Sequence, residues 1–170
     1  LLIGGTPGGG KSVALETILR GLCAHYDEEQ LRLDLVDGKG TELVDFDDDP
    51  HLNGTTGLDW EDAVEIVKQL VVEMQDRYKT FRTQKAKSLT DYNKAVPGDQ
   101  RKPWRVLVLD EYTDLVEEAG SKNRQQLESP LIRLTSKGRA AGIHVIVSTQ
   151  KPSADVLKTG IRSNLPAQLA

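Results

Sequence analysis

Two short stretches of this sequence carry residue types whose spacing could do chemistry. The first is GGTPGGGKS, Gly4 to Ser12, in which Gly5 and Gly10 bracket four residues and Lys11 and Ser12 follow directly. Glycines at such density let a backbone curl until successive N–H groups point inward at a phosphate chain, a path that side chains would obstruct. Gly5, Thr6, Pro7, Gly8, Gly9, Gly10, Lys11, Ser12 and the next residue, Val13, are the candidates to wrap a nucleotide's phosphates. Lys11 is expected to reach the β- and γ-phosphates and the Ser12 hydroxyl to bind Mg2+. A helix starting there adds the positive end of its dipole. A flexible glycine turn with a chance lysine is the competing reading. The apolar residues before the loop and the amphipathic pattern after it favour nucleotide binding.

The second stretch is RVLVLDEYTDL, Arg105 to Leu115, where a buried apolar run ends in two adjacent carboxylates, Asp110 and Glu111. Ionised groups are costly to bury unless something pairs with them. Next to a phosphate loop both acids gain a purpose. Asp110 shares the magnesium with Ser12, and Glu111 polarises a water for in-line attack on the γ-phosphate. Small GTPases and nucleotide kinases typically lack a glutamate directly after the strand aspartate, whereas motor and helicase-like ATPases have it. Gln150, at the tip of a later apolar run ending in STQ, is placed to sense the γ-phosphate. The residues point to an ATP hydrolase using ATP and Mg2+.

The elements that must position these groups alternate along the chain. Leu1–Gly4, Leu31–Asp37, Val106–Asp110 and Ile143–Thr149 read as strands. The second alternates; the others are near-continuous apolar runs, expected where both faces of a sheet are covered. Lys11–His25 and Asp59 to about Phe81 read as helices, the latter from apolar residues at positions 64, 67, 71, 74, 78 and 81. Ser129-Pro130 reads as an N-cap and first helical residue, opening a helix that Gly142 closes. Asp45–Gly57 and Lys94–Pro103 read as loops, and Arg82–Lys87 as a solvated helix end. Strands alternating with helices predict an α/β fold, a mostly parallel sheet with helices on both faces. The chain order also permits a strand lying between the loop strand and the acidic strand, as motor ATPases have.

The 170 residues suit one domain, 38% hydrophobic and 28% charged, with no apolar run of membrane-spanning length. Both ends read as cut from a longer protein, which could itself be membrane-anchored. A single cysteine, Cys23, excludes an internal disulfide framework and suits a reducing, cytoplasmic compartment. A net charge of −4 argues against nucleic-acid binding through the whole surface. His25, His51 and His144 are far apart in sequence and have no ligand spacing, so a zinc site is not expected. The acids of Asp45–Asp49 lack the pattern of a calcium loop and read as a solvated turn.

GGTPGGGKS, LVLDEYTDL and above all KGRAAGIHVIVSTQKPSADVLKTGIRSNLP resemble the FtsK/SpoIIIE family of double-stranded DNA translocases. LVDGKGTEL, PHL, RYKTF and LTDYNKA agree, so the likeness runs nearly end to end. The resemblance implies a RecA-like P-loop NTPase fold and a hexameric ring with ATP at subunit interfaces and duplex DNA in the pore. It makes Arg139 a trans-acting arginine finger, whose guanidinium would stabilise charge on a neighbour's γ-phosphate. It places Lys151, Lys158 and Arg162 at the pore, touching DNA phosphates, contacts that carry no base information. Six copies of those cations would make a basic pore from acidic protomers. Lys151 stands where the family commonly has arginine, and DGKG replaces a more usual proline-lysine. The process served could be chromosome segregation, conjugative transfer, or a phage-defence or restriction system. Two other readings stay open: a secretion-type ATPase that moves proteins, and a non-hydrolysing nucleotide-binding module.

Overall fold

Near-continuous apolar strands need cover on both faces, and this chain supplies it. The computed structural model describes every residue except Pro7, Pro152, Ala154, Asp155 and Ala170. Among the described residues the elements run β1 (Leu2–Gly4), α1 (Lys11–His25), β2 (Leu31–Asp37), α2 (Trp60–Thr83), α3 (Leu89–Ala95), β3 (Trp104–Asp110), α4 (Tyr112–Lys137), β4 (Ile143–Thr149), α5 (Thr159–Arg162) and β5 (Gln168–Leu169). The five strands form one parallel sheet in the order β2-β3-β4-β1-β5.

Period-two alternation sorts the strand residues between two cores. Leu107, Leu109, Val145 and Val147 pack with α2, α4 and α5 on one face. Leu31, Leu33, Leu35, Val106, Val108 and Ile146 pack with Leu15 and Leu19 of α1 and with Leu43 and Phe46 on the other. The alternation of β2 does not leave a solvated face. Asp34 is buried there and bonds to Arg105, which also reaches Glu73 of α2. Burial holds the Asp34 carboxyl above its usual range, with Arg105 pulling the other way.

The strand lying in space between β1 and β3 is β4, while β2 sits at the edge of the sheet. The long fourth helix departs from the sequence-based expectation. Ser129-Pro130 does not open a helix: α4 begins at Tyr112 and Pro130 lies inside it. Leu127, Leu131 and Leu134, at helical spacing across the proline, are fully buried against the first core, and that packing outweighs the local proline signal. The break falls instead at Gly120, whose φ of 65° no β-branched or bulky residue adopts comfortably. Gly142 does not close the helix either; it sits in the turn before β4 with φ 76°. A Cβ on it would lie 2.1 Å from Leu89 Cδ2. That contact belongs to a third cluster, in which Phe81, Leu89, Tyr92 and Val96 pack beside Trp104. It is built around α3, an element the sequence pattern did not reveal. Among the described residues no helix is long and apolar enough to cross a membrane.

Candidate active site

Parallel strands deliver their C-terminal ends to one edge of a sheet, and ligands of open α/β sheets bind outside that edge. Here the ends of β1, β4 and β3 lie side by side, with Gly4 opposite Thr149 and Leu109 opposite Val147. The glycine loop leaves β1, so its lysine meets the acids leaving β3 across β4. Gly8 and Gly10 hold positive φ of 78° and 84°. Gly9 N–H donates to Thr6 O at 2.9 Å, and a Cβ on Gly9 would sit 2.9 Å from that same oxygen. The curled path therefore demands glycine, as the spacing predicted. Pro7 lies outside the described residues.

Lys11 Nζ donates to Asp110 Oδ1 at 2.9 Å and to Ser148 Oγ at 3.2 Å, and stands 3.8 Å from Glu111 Oε2. Ser148 also bonds to Asp110 and accepts from the Glu111 backbone N–H at 3.3 Å. Asp110 and Glu111 are both almost fully buried. Glu111 takes a left-handed backbone, φ 44°, a conformation that costs a non-glycine residue energy and re-aims its side chain as α4 begins. Its Oε1 accepts from the Gln150 backbone N–H at 3.0 Å, while Oε2 has no hydrogen-bond partner. Behind it Thr149 and Thr113 share a hydroxyl–hydroxyl bond of 2.6 Å.

An open cleft of about 320 Å3 lies over this cluster, lined by Thr6, Gly8, Gly10, Lys11, Ser12, Val13, Asp110 and Gln150. Lys39 and Glu42 from the loop after β2 complete its wall. Asp37 shapes that loop by accepting from the backbone N–H groups of Lys39, Glu42 and Leu43. The geometry thus gathers the phosphate-loop residues, Asp110, Glu111 and Gln150 at one place. Ser148, Lys39 and Glu42 join them without having been singled out. Ser148 belonged to the STQ motif, and only the spatial insertion of β4 between β1 and β3 reveals its role. Cleft, glycine path and donor set suit a magnesium triphosphate: backbone amides and an ammonium for phosphates, a hydroxyl and a carboxylate for the metal, and one buried carboxylate oxygen without a hydrogen bond.

The remaining predicted residues lie elsewhere. Arg139 is exposed in the turn between α4 and β4, at the opposite end of the sheet from Lys11. The seven residues of β4 put roughly 20 Å between them at a strand's rise. Its turn is held by Arg77, buried in α2, whose guanidinium donates to Ala141 O and Pro103 O, both at 2.8 Å. Lys151 and Arg162 are exposed. Lys158 forms an ion pair with Glu128 of α4, which is 1% exposed and also bound by Arg124. Lys158 is itself half exposed, so the ion pair holds its ammonium beside α4 without burying it.

The sequence profile of the FtsK/SpoIIIE family matches residues 1–154. A DNA translocase FtsK from Campylobacter jejuni is 37% identical over 172 residues, covering all of this chain but only 18% of that relative. Among solved structures, the pCW3 conjugation coupling protein TcpA, in monomer form with ATPγS, superposes with a TM-score of 0.84 at 28% identity, over 99% of this chain and 47% of that one. EssC (ATPases 2 and 3) from Geobacillus thermodenitrificans shares the fold, with a TM-score of 0.84 at 24% identity, over 98% of this chain and 30% of that one. Sequence, fold and the cluster at the strand ends agree: the chain belongs to the FtsK/SpoIIIE family.

Proposed function

We propose that this chain is the motor core of an ATPase that translocates double-stranded DNA as a ring-shaped oligomer, in the manner named for its FtsK relatives. The observation that carries the reading is the convergence of Lys11, Asp110, Ser148 and Glu111 at the ends of three adjacent parallel strands. Gly5, Thr6, Gly8 and Gly10 present backbone N–H groups to the phosphates, beside the Lys11 ammonium. Ser12 and Asp110 hold magnesium. Bound there, magnesium and triphosphate supply the charge neutralisation and the scissile γ-phosphoryl linkage. Glu111 accepts the proton of the attacking water at Oε2, the oxygen that Gln150 and Thr149 leave unengaged. Gln150 ties β4 to the base, so its position reports the state of the cleft.

Arg139 cannot reach its own cleft and serves a neighbour's, which makes turnover depend on assembly. Lys151 and Arg162 remain exposed to contact DNA phosphates, and such contacts suit a motor that grips any sequence. A protein-moving secretion motor is the second reading. One observation favours it: Lys158, one of three candidate DNA cations, is occupied by Glu128. The test is the ATPase rate of the full-length protein against its own concentration, with and without duplex DNA of unrelated sequences. A rate that rises more steeply than concentration, and that any duplex stimulates, is expected. A cooperative rate indifferent to DNA would overturn the DNA reading and favour the secretion motor. A rate strictly proportional to protein concentration would overturn the ring.

A further inference from the structure

We propose that Cys23, Asp49 and His51 form a site for a borderline-soft divalent cation of the Zn2+ type, pinning the C-terminal end of α1 to the loop that follows β2. Cys23 stands in the last turns of α1, and the other two residues come from the Asp45–Gly57 loop. One ligand atom from each lies within 4.8 Å of the others. The residues are 26 and 28 positions apart along the chain, so no ligand spacing announces them. The sequence offers His51 no ligand spacing, yet the fold brings Cys23 and Asp49 beside it.

The imidazole is buried and oriented from both sides. Nε2 lies 2.8 Å from Tyr26 O, a carbonyl that can only accept, so Nε2 carries a proton. Nδ1 then faces Asp49 Oδ1 at 2.7 Å. In a neutral ring this Nδ1 is a bare lone pair against a carboxylate, an arrangement that requires a cation between them. A proton is one such cation and a metal is the other. A ligating histidine that donates its second ring N–H to a backbone carbonyl is the usual outer-shell arrangement of zinc sites. The half-buried Cys23 thiol completes a sulfur, nitrogen and oxygen set that suits zinc and not the all-oxygen preference of magnesium or calcium.

The charges balance in both states. Without metal, an imidazolium and a carboxylate cancel, and burial together with Asp49 pushes the thiol up to about 11, so sulfur keeps its proton. With Zn2+, a thiolate, a carboxylate and a neutral imidazole cancel the two positive charges. Binding therefore releases protons, close to two per ion where the ring begins fully protonated. Tetrahedral bonds of about 2.0–2.1 Å to nitrogen and oxygen set those ligand atoms about 3.3 Å apart. A small rotation of the Asp49 carboxylate opens the present 2.7 Å to that value. Its backbone stays anchored by bonds to Phe46 O and from Leu52 N–H. Three protein ligands leave the fourth tetrahedral position to water. Cys23 stands about 18 Å along the α1 axis from Lys11, so this ion neither needs nor touches the phosphate cleft.

The probes are Co2+ and Zn2+, titrated into chelator-treated protein. One Co2+ per chain is expected, with the near-ultraviolet charge-transfer absorption of a cobalt–thiolate bond, displaced by one equivalent of Zn2+ with proton release. Zn2+ should also raise the melting temperature. Cys23→Ser, which replaces a half-buried thiol with its smaller isostere, should abolish the charge-transfer band and weaken Zn2+ by about tenfold or more, at least the scale seen when an outer-shell partner is lost. Ser12→Ala, in the phosphate cleft, should leave the cobalt titration unchanged. Absence of the thiolate band in the unmutated protein, or a band and affinity that survive Cys23→Ser, would overturn the site.

Discussion

Lys11 and Asp110 are 99 residues apart in the chain, yet the lysine ammonium donates to the aspartate carboxylate at 2.9 Å. That contact exists because β4, the last long strand to be made, inserts between the strands that carry them. Ser148 of β4 bonds to both side chains, so hydrogen bonds join the phosphate loop, the acidic pair and β4 into one polar unit.

The two ends of this unit separate binding from chemistry. Lys11→Ala should abolish nucleotide binding, measured by fluorescent-nucleotide titration. Glu111→Gln keeps the shape and the Gln150 contact but loses the base. It should bind nucleotide normally and turn over about 10²–10⁴-fold more slowly, the usual contribution of a positioned base. Unmutated turnover in Glu111→Gln would move the base elsewhere.

Arg139→Ala should leave nucleotide affinity unchanged. Its turnover should match the unmutated protein at dilutions where both are monomeric and fall behind by about 10³-fold or more once both assemble, the low end for arginine fingers. A deficit already present in the monomer would contradict a trans role.

Lys158→Ala should behave differently from Lys151→Ala and Arg162→Ala. Losing Lys158 strips a partner from buried Glu128, which Arg124 still holds, so roughly 1–2 kcal/mol of stability should go, read by urea denaturation. The other two should leave stability untouched, and each should reduce the salt dependence of DNA binding by about one phosphate's worth.

Arg77→Met tests the support beneath the Arg139 turn. The guanidinium is 2% exposed, and its removal orphans two buried carbonyls and the inner side of Glu73, a loss of about 3–5 kcal/mol. Hydrogen exchange should quicken first in residues 138–142, and assembled turnover should drop while nucleotide affinity holds.

Gly142→Ala meets two penalties, a positive φ and a Cβ driven into Leu89. The substitution should cost about 1–3 kcal/mol or more. Leu89→Ala opens space for the new methyl but leaves the φ penalty, so the double substitution should cost less than the two singles summed. Strict additivity in chemical denaturation would show that the close approach is not what matters.

How much of this was legible depended on whether the signal was local. Leu31–Asp37, Ile143–Thr149 and Lys11–His25 were read with the bounds the structure has, because apolar runs and a glycine punctuator act over a few residues. The phosphate-loop conformation was legible for the same reason. What failed was decided at a distance. Pro130 looked like a helix start until Leu127, Leu131 and Leu134 were seen to share a core with α2. Leu89–Ala95 drew no helix assignment, because its two core residues, Leu89 and Tyr92, find their partners in Phe81 and Trp104. Ser148 and the Cys23–His51 proximity were invisible, since both depend on which strand or loop lies beside which. Nor does the sequence announce that Glu128, 30 positions earlier, lies beside Lys158.

Arg139 and Lys11 sit at opposite poles of a single copy, separated by the length of β4. Where one pole engages the other on an adjacent copy, the two surfaces in contact are unlike, so the junction has a front and a back. If such a junction repeats and its rotation closes, every member of the resulting ring would face the same way around, a polarity that two-fold pairing cannot supply. Sequential firing around that circle would inherit a fixed sense of rotation from the placement of two side chains.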